Sequence, residues 1–156
     1  MNKPNPFMVE ALNQAKIAFN LGEVPVGAVI VKNNQIISKA HNQNISLQDS
    51  TAHAEILVIR KAGEILQNYR LDNCDLYVSL EPCSMCASAI SLARIKRLYY
   101  AASDEKSGGV ETGAKIFTHQ QCHHKPEIYS NINASESAEL LKSFFLKKRA
   151  SKSIDN

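Results

Sequence analysis

Disulfides are the first thing this sequence cannot rely on. Its 156 residues hold only four cysteines, too few for a cross-linked scaffold in a chain of this size. Tryptophan is absent, and glycine and proline stand at ordinary levels. Long apolar runs are missing as well. The opening MNKPNPFMVEAL is interrupted by Asn, Pro and Glu, so it lacks the apolar stretch of a secretory signal. No window reaches the apolar length of a membrane span. Internal repeats, low-complexity tracts and linkers are also lacking, so residues 1–156 read as one domain. These absences predict a soluble, cytoplasmic protein with no membrane association and with reduced cysteines. Reduced cysteines are of interest as metal ligands or redox groups.

What is present supports a folded core. The chain is 44% hydrophobic and 21% charged, which excludes disorder and fibrous repeats and allows a core without cross-links. A net charge of +3 falls well short of a histone-like tail but leaves room for a local patch that attracts an anionic ligand.

The order of elements can be read from caps and periodicity. Asn5-Pro6 offers a capping side chain and then proline at the first helical position. Met8, Ala11, Leu12, Ala15, Ala18 and Phe19 recur at helical spacing, and Gly22 ends the helix. Val26 to Val31 is a β-branched run suited to a buried strand. Asn33-Asn34 signals a turn, and QIISKAH is the second strand of a hairpin. Residues 42–51 are polar loop, with Asp49, Ser50 and Thr51 as candidate caps for a helix through AHAEILVIRKAGEIL. DLYVSL (75–80) is a strand, and Pro82 suits the first turn of a helix through MCASAISLARI. RLYYAA (97–102) is a strand again. This alternation argues for an α/β sandwich with parallel pairing across the helical crossovers. Residues 103–133 carry no clear pattern. Asn133 and Glu136 form a candidate cap pair for a last helix whose apolar face is Ala138, Leu141, Phe144 and Phe145.

Two clusters carry chemistry. His53-Ala54-Glu55 stands at a predicted helix start. Pro82-Cys83-Ser84-Met85-Cys86 stands at another, directly after a strand. Cys83 and Cys86 are three apart, so on a helix their sulfurs share a face. With the His53 imidazole they make three ligands for a tetrahedral Zn²⁺ whose fourth position stays open to water, which is the catalytic count. Helix N-termini favour thiolates and carboxylates nearby. Glu55, two residues from a ligand, is the natural general acid and base for an activated water. A dithiol redox protein remains open from Cys83 and Cys86 alone, since Cys-x-x-Cys opening a helix after a strand suits that chemistry too. It leaves His53 and Glu55 without a role.

His-x-Glu followed by Pro-Cys-x-x-Cys is the signature of zinc nucleobase deaminases. EVPVGAVIV, TAHAEI, QNYRL, LYVSLEPCSMCASAI and FFLKKR run in order from Glu23 to Arg149. Through them the chain resembles the bacterial tRNA-specific adenosine deaminases of the cytidine/deoxycytidylate deaminase superfamily. That resemblance implies a three-layer α/β/α sandwich with a mixed five-stranded sheet. It implies one zinc per chain, a homodimer, and a tRNA anticodon loop as partner. The reaction implied is adenosine to inosine at the wobble position, usually of one arginine tRNA. By the same resemblance Asn42 hydrogen-bonds the target nucleoside, Val26 walls the base pocket and the Ala54 N–H contacts the base. Asp104 and Lys106 then lie on the loop that handles flanking nucleotides. Residues 103–131 depart from the commonest pattern of the family, where a shorter alanine- and glycine-rich stretch stands.

The tail adds its own signal. Lys142, Lys147, Lys148, Arg149 and Lys152 occur with no acid among them, beside Phe144 and Phe145. Such a helix end fits phosphate neutralisation with base stacking, and Phe145, Lys148 and Arg149 are the candidate tRNA contacts. A solvated basic face with both Phe in the core is the bland alternative. Cys122-His123-His124 suggests a second metal, but no partner cluster stands at ligand spacing, so a packed or surface loop is expected. The rival enzyme reading is a free nucleobase or nucleoside deaminase acting on guanine or cytosine.

Overall fold

Asn5 caps the first helix as its sequence predicts: its side-chain oxygen accepts the N–H groups of Phe7 and Met8 at 3.0 and 3.1 Å. The helix, α1, spans Pro6–Asn20, and Gly22 follows with φ +78°. The structure, a computed structural model, describes residues 3–154. The expected 1–156 domain therefore includes four end residues that lie outside the described residues.

Strands β1 (Gly27–Lys32) and β2 (Gln35–His41) form an antiparallel hairpin. Asn33 and Asn34 both take positive φ, 51° and 62°, as a tight two-residue hairpin turn requires. Helix α2 (Ala54–Leu66), strand β3 (Cys74–Leu80), helix α3 (Ser84–Leu92) and strand β4 (Arg97–Ala102) follow. A short 3-10 turn at Ile116–Thr118, strand β5 (Glu127–Tyr129) and helix α4 (Ala134–Ile154) complete the order.

The sheet runs β2-β1-β3-β4-β5, antiparallel at β1 and parallel from β3 to β5. Its core is two-sided because side chains alternate along each strand. Ala28 and Ile30 of β1 join Leu76, Val78, Leu98 and Tyr100 against Val58 and Ala62 of α2 and Ala87 and Ile90 of α3. Val29 and Val31 turn the other way, with Tyr77 and Ala101, against Met8, Ala11 and Leu12 of α1. Phe144 of α4 packs edge-on against Phe19 of α1, so α4 lies on the α1 face. The result is the mixed five-stranded α/β/α sandwich.

Three local readings need correction. Helix α2 is not capped by Asp49, Ser50 or Thr51. Its N-cap is His53, without a side-chain cap bond, and the Asp49 carboxylate turns back to the Thr51 N–H and hydroxyl at 2.8 and 2.7 Å. Helix α3 begins at Ser84, with Pro82 before its N-cap, and ends at Leu92, with Ala93 as its C-cap, because Arg94 takes φ +62°. Asn133 takes φ +59° rather than the extended conformation of an N-cap, and Glu136 pairs with Lys16 at 3.0 Å.

All strands but β1 point the same way. The ends of β2, β3 and β4 and the start of β1 therefore meet at one edge of the sheet, where α2 and α3 begin. Crevices outside strand carboxyl ends are the usual ligand sites of open α/β sheets.

Candidate metal and active site

The two predicted clusters converge at this edge because each sits at a helix N-terminus. His53 is the N-cap of α2 and Cys83 the N-cap of α3, both with extended backbone. Cys86 stands three residues on, one turn into α3. The His53 Nδ1 lies 3.6 Å from the Cys83 Sγ and 3.4 Å from the Cys86 Sγ. Zinc bonds of about 2.3 Å to sulfur and about 2.0–2.1 Å to nitrogen, at a tetrahedral angle, put N and S about 3.5 Å apart. The three donor atoms lie within 4.8 Å of one another, and among the described residues no other trio of His, Cys, Asp or Glu does so. The donor set and its spacing fit one zinc with three protein ligands.

Protonation follows from contacts. A Cys86 hydrogen bond, with the His53 imidazole adding to it, brings Cys83 down to about 4, the range of a thiolate. Cys86 is pushed up by its hydrogen bond with Cys83 and by burial. The Cys83 bond also raises His53.

Glu55 occupies the first turn of α2 and is 4% exposed. Burial pushes its carboxyl up to about 7. A carboxyl that titrates near neutrality can both take and return a proton. It is not among the three clustered ligand atoms.

A cleft of about 1010 Å³ opens over this cluster. Val26, Asn42, His53, Glu55 and Cys83 form its inner wall. Asp104 and Lys106 of the 103–112 loop also line it, as do Phe145, Lys148, Arg149 and Lys152 of α4. Two residues from the expected set are off the wall: Cys86 and Ala54 are fully buried behind it. The Ala54 N–H donates to the Asn42 Oδ1 at 2.7 Å, so within this structure it serves Asn42. The Asp104 carboxylate accepts the N–H groups of Lys106 and Ser107, each at 3.1 Å, and shapes its own loop.

The tail divides by helical periodicity. Leu141, Phe145, Lys148 and Lys152 share the cleft face of α4. Phe144 is buried, and Lys147 lies over the Phe19 ring, outside the cleft lining. Neither pure reading of the paired Phe holds: one is core and its neighbour is cleft wall. The Cys122-His123-His124 segment packs as expected, with the Ser91 hydroxyl donating to the His124 carbonyl at 2.8 Å and the His124 ring bonded to the Ile95 carbonyl at 2.6 Å.

Sequence reasoning passed over Glu81. It is 2% exposed, borders the cleft, and accepts five hydrogen bonds from residues 104–112. The available signal was an acid at the end of an apolar strand, directly before Pro82.

The chain matches the family described as MafB19-like deaminase over residues 1–149. It is 53% identical to the tRNA-specific adenosine deaminase of Agrobacterium fabrum, over 92% of this chain and 94% of that one. A chain solved in a study of A-to-I editing by tRNA:A34 deaminases superposes with a TM-score of 0.86 at 53% identity, covering 86% of this chain and 98% of that chain. A guanine deaminase from Bacillus subtilis superposes at 0.61, with 46% identity over 66% of each chain.

Proposed function

Because the chain belongs to the MafB19-like deaminase family, and its curated relatives are tRNA-specific adenosine deaminases, we propose that it hydrolytically deaminates adenosine to inosine at the wobble position of a tRNA anticodon, that of an arginine tRNA. The proposal is of one deaminase domain with one zinc, acting as a cytoplasmic homodimer. Among the described residues no helix is long and apolar enough to cross a membrane.

What supports the tRNA reading is one continuous cleft. It joins the His53, Cys83, Cys86 and Glu55 cluster to an outer wall of Phe145, Lys148, Arg149 and Lys152. A site for one free ring needs no such wall. A single-stranded loop presents phosphates to the three cations and an unstacked base to the phenyl ring. An anticodon adenosine is unpaired, so turning it into the pocket costs little.

Each side chain then has a role. His53, Cys83 and Cys86 would hold the zinc, which when bound would supply an activated water as nucleophile. Glu55 takes one proton from the attacking water and delivers it to N1 of the base as the water oxygen bonds to C6; it then takes the second proton from the new C6 hydroxyl and gives it to the amine, so that the C6–N bond breaks. Ammonia leaves and inosine remains. Asn42 orients the base with its amide, Val26 walls it, and the Ala54 N–H orients Asn42. Asp104 and Lys106 border the nucleotides beside the target. Incubation with total tRNA, followed by sequencing for adenosine-to-inosine changes, tests the proposal.

Likeness to a guanine deaminase favours a second reading, a free nucleobase or nucleoside deaminase for guanine or cytosine. Both readings use the same catalytic residues, and they differ in whether the outer wall contributes to turnover.

A further inference from the structure

A loop that reaches a polymeric substrate must be held at a fixed distance from the reacting centre, or its contacts contribute little to orientation. In this chain the loop is residues 103–112, whose Asp104, Glu105, Lys106 and Ser107 border the cleft. It has no regular secondary structure of its own. One carboxylate ties it at both ends. The Glu81 Oε1 accepts the Asp104 N–H at 3.1 Å. Its Oε2 accepts the N–H groups of Val110, Glu111 and Thr112 at 3.1, 3.0 and 3.0 Å, and shares the Thr112 hydroxyl, 2.9 Å away, with the Asp104 carbonyl, also at 2.9 Å. Both ends of the loop are thereby tied to one buried side chain.

The same side chain stands two residues before Cys83, and the loop also docks directly on that turn. The Gly109 N–H donates to the Pro82 carbonyl at 2.8 Å, and Gly108 bridges Cys83. The apposition is tight. A methyl group on Gly109 would lie 2.6 Å from the Ser84 nitrogen, and one on Gly108 would lie 2.6 Å from the Glu81 Cδ. Glycines at both positions let loop and turn touch backbone to backbone.

We propose that Glu81 is a positioning residue: it latches the 104–112 loop to the metal-ligating turn and so sets where Asp104 and Lys106 meet the nucleotides flanking the target base. The proposal rests on the tRNA reading above and adds a residue that acts on the substrate through the loop rather than on the reacting atoms. Only a carboxylate suits the role. An amide would replace one of the two acceptor oxygens with a donor and leave buried N–H groups without partners.

The experiment compares wild type, Glu81→Gln, Thr112→Val and Thr112→Ser on an anticodon stem-loop, with zinc content measured on each. Glu81→Gln raises KM at least tenfold, with kcat within threefold and zinc unchanged. Thr112→Val shifts KM in the same direction by less, and Thr112→Ser, which keeps the hydroxyl, restores it. Lys106→Ala raises KM in the wild-type background but by less than twofold in Glu81→Gln, since an unlatched loop no longer presents Lys106. A loss confined to kcat, activity that falls in proportion to zinc, or an undiminished Lys106→Ala effect would overturn the latch. If Glu81→Gln does not fold, the Thr112 pair decides by the same KM comparison. Amide hydrogen exchange reads the latch without any substrate: Asp104, Val110, Glu111 and Thr112 exchange at least tenfold faster in Glu81→Gln or Thr112→Val. Unchanged exchange overturns the latch. Faster exchange in a wild-type-inactive enzyme would leave the latch standing and the tRNA reading refuted.

Discussion

The Asn42 Oδ1 accepts the backbone N–H of Ala54 at 2.7 Å, joining the end of β2 to the first turn of α2 across 12 residues. That N–H is one of the donors a helix start leaves unpaired, and the helix has no side-chain cap at His53. Asn42 is therefore the remote cap of the helix that carries His53 and Glu55. The bond also fixes its amide, and the proposed base contact falls to the Nδ2 donors.

Two substitutions separate those roles. Asn42→Asp keeps an acceptor for Ala54 and loses the amide donors. It should fold with zinc bound and lose turnover of the stem-loop by at least tenfold. Asn42→Ala loses both and should lower the unfolding midpoint as well, by the equivalent of about 1 kcal/mol for a lost cap. Thermal unfolding and steady-state kinetics on both variants check this. Equal kinetics for Asn42→Asp and wild type would contradict a base contact.

Glu55→Ala should keep one zinc per chain, because Glu55 is outside the ligand trio. Its turnover should fall at least ~10²–10⁴-fold, the range for loss of a general acid or base. Metal analysis and single-turnover deamination provide the check. Loss of metal in this variant would make Glu55 a ligand instead.

The division of the tail predicts opposite phenotypes for adjacent residues. Phe144→Ala should destabilise by about 3 kcal/mol, as for a buried ring, since Phe144 is 4% exposed and packs on Phe19. Phe145→Ala should leave the unfolding midpoint near wild type and weaken stem-loop binding. Reversing Lys148 and Arg149 to Glu should weaken binding further. Wild-type affinity should fall with salt, with a log–log slope of roughly −0.7 per single-strand phosphate contacted. Salt-independent binding would count against the basic wall.

Helix spacing explains why some of this was legible in sequence. His53, Glu55, Cys83 and Cys86 lie within short segments whose caps and periodicity are local, so their convergence at helix N-termini followed from the order of elements. The same holds for α1, whose Asn5 cap and apolar spacing both appear in the structure. Strand β5 gave no signal because its three residues are all exposed and form no apolar run. The Asn42–Ala54 bond depends on where a hairpin ends relative to a helix start, which no residue pattern reports. The five bonds to Glu81 depend on a loop closing on itself. Arg94, at φ +62°, ends α3 where its sequence still reads as helix.

Acid stability has a specific contributor in Glu23. Burial raises its pKa, but the N–H groups of Ser46 and Ile45 and the Ser46 hydroxyl outweigh that and hold it below the usual carboxylate range. A lowered folded-state pKa adds stability that is present above the unfolded value of about 4.5 and is lost as pH falls through the folded value. Glu23→Gln should therefore lower the unfolding midpoint at pH 7, and the gap to wild type should shrink as pH falls below about 4.5. A gap that does not change with pH would refute this.

The central claim is that the outer wall of the cleft, not a small closed pocket, supplies much of the binding that positions the base. Remote contacts of that kind raise kcat/KM for the large substrate only. The direct measurement is kcat/KM, under one condition, for an anticodon stem-loop with adenosine at the wobble position and for free adenosine, adenine, guanine and cytosine. The stem-loop should exceed each small substrate by at least ~10³-fold, the scale of a few remote contacts. Guanine or cytosine turned over faster than the stem-loop would contradict the account and leave only the deaminase chemistry.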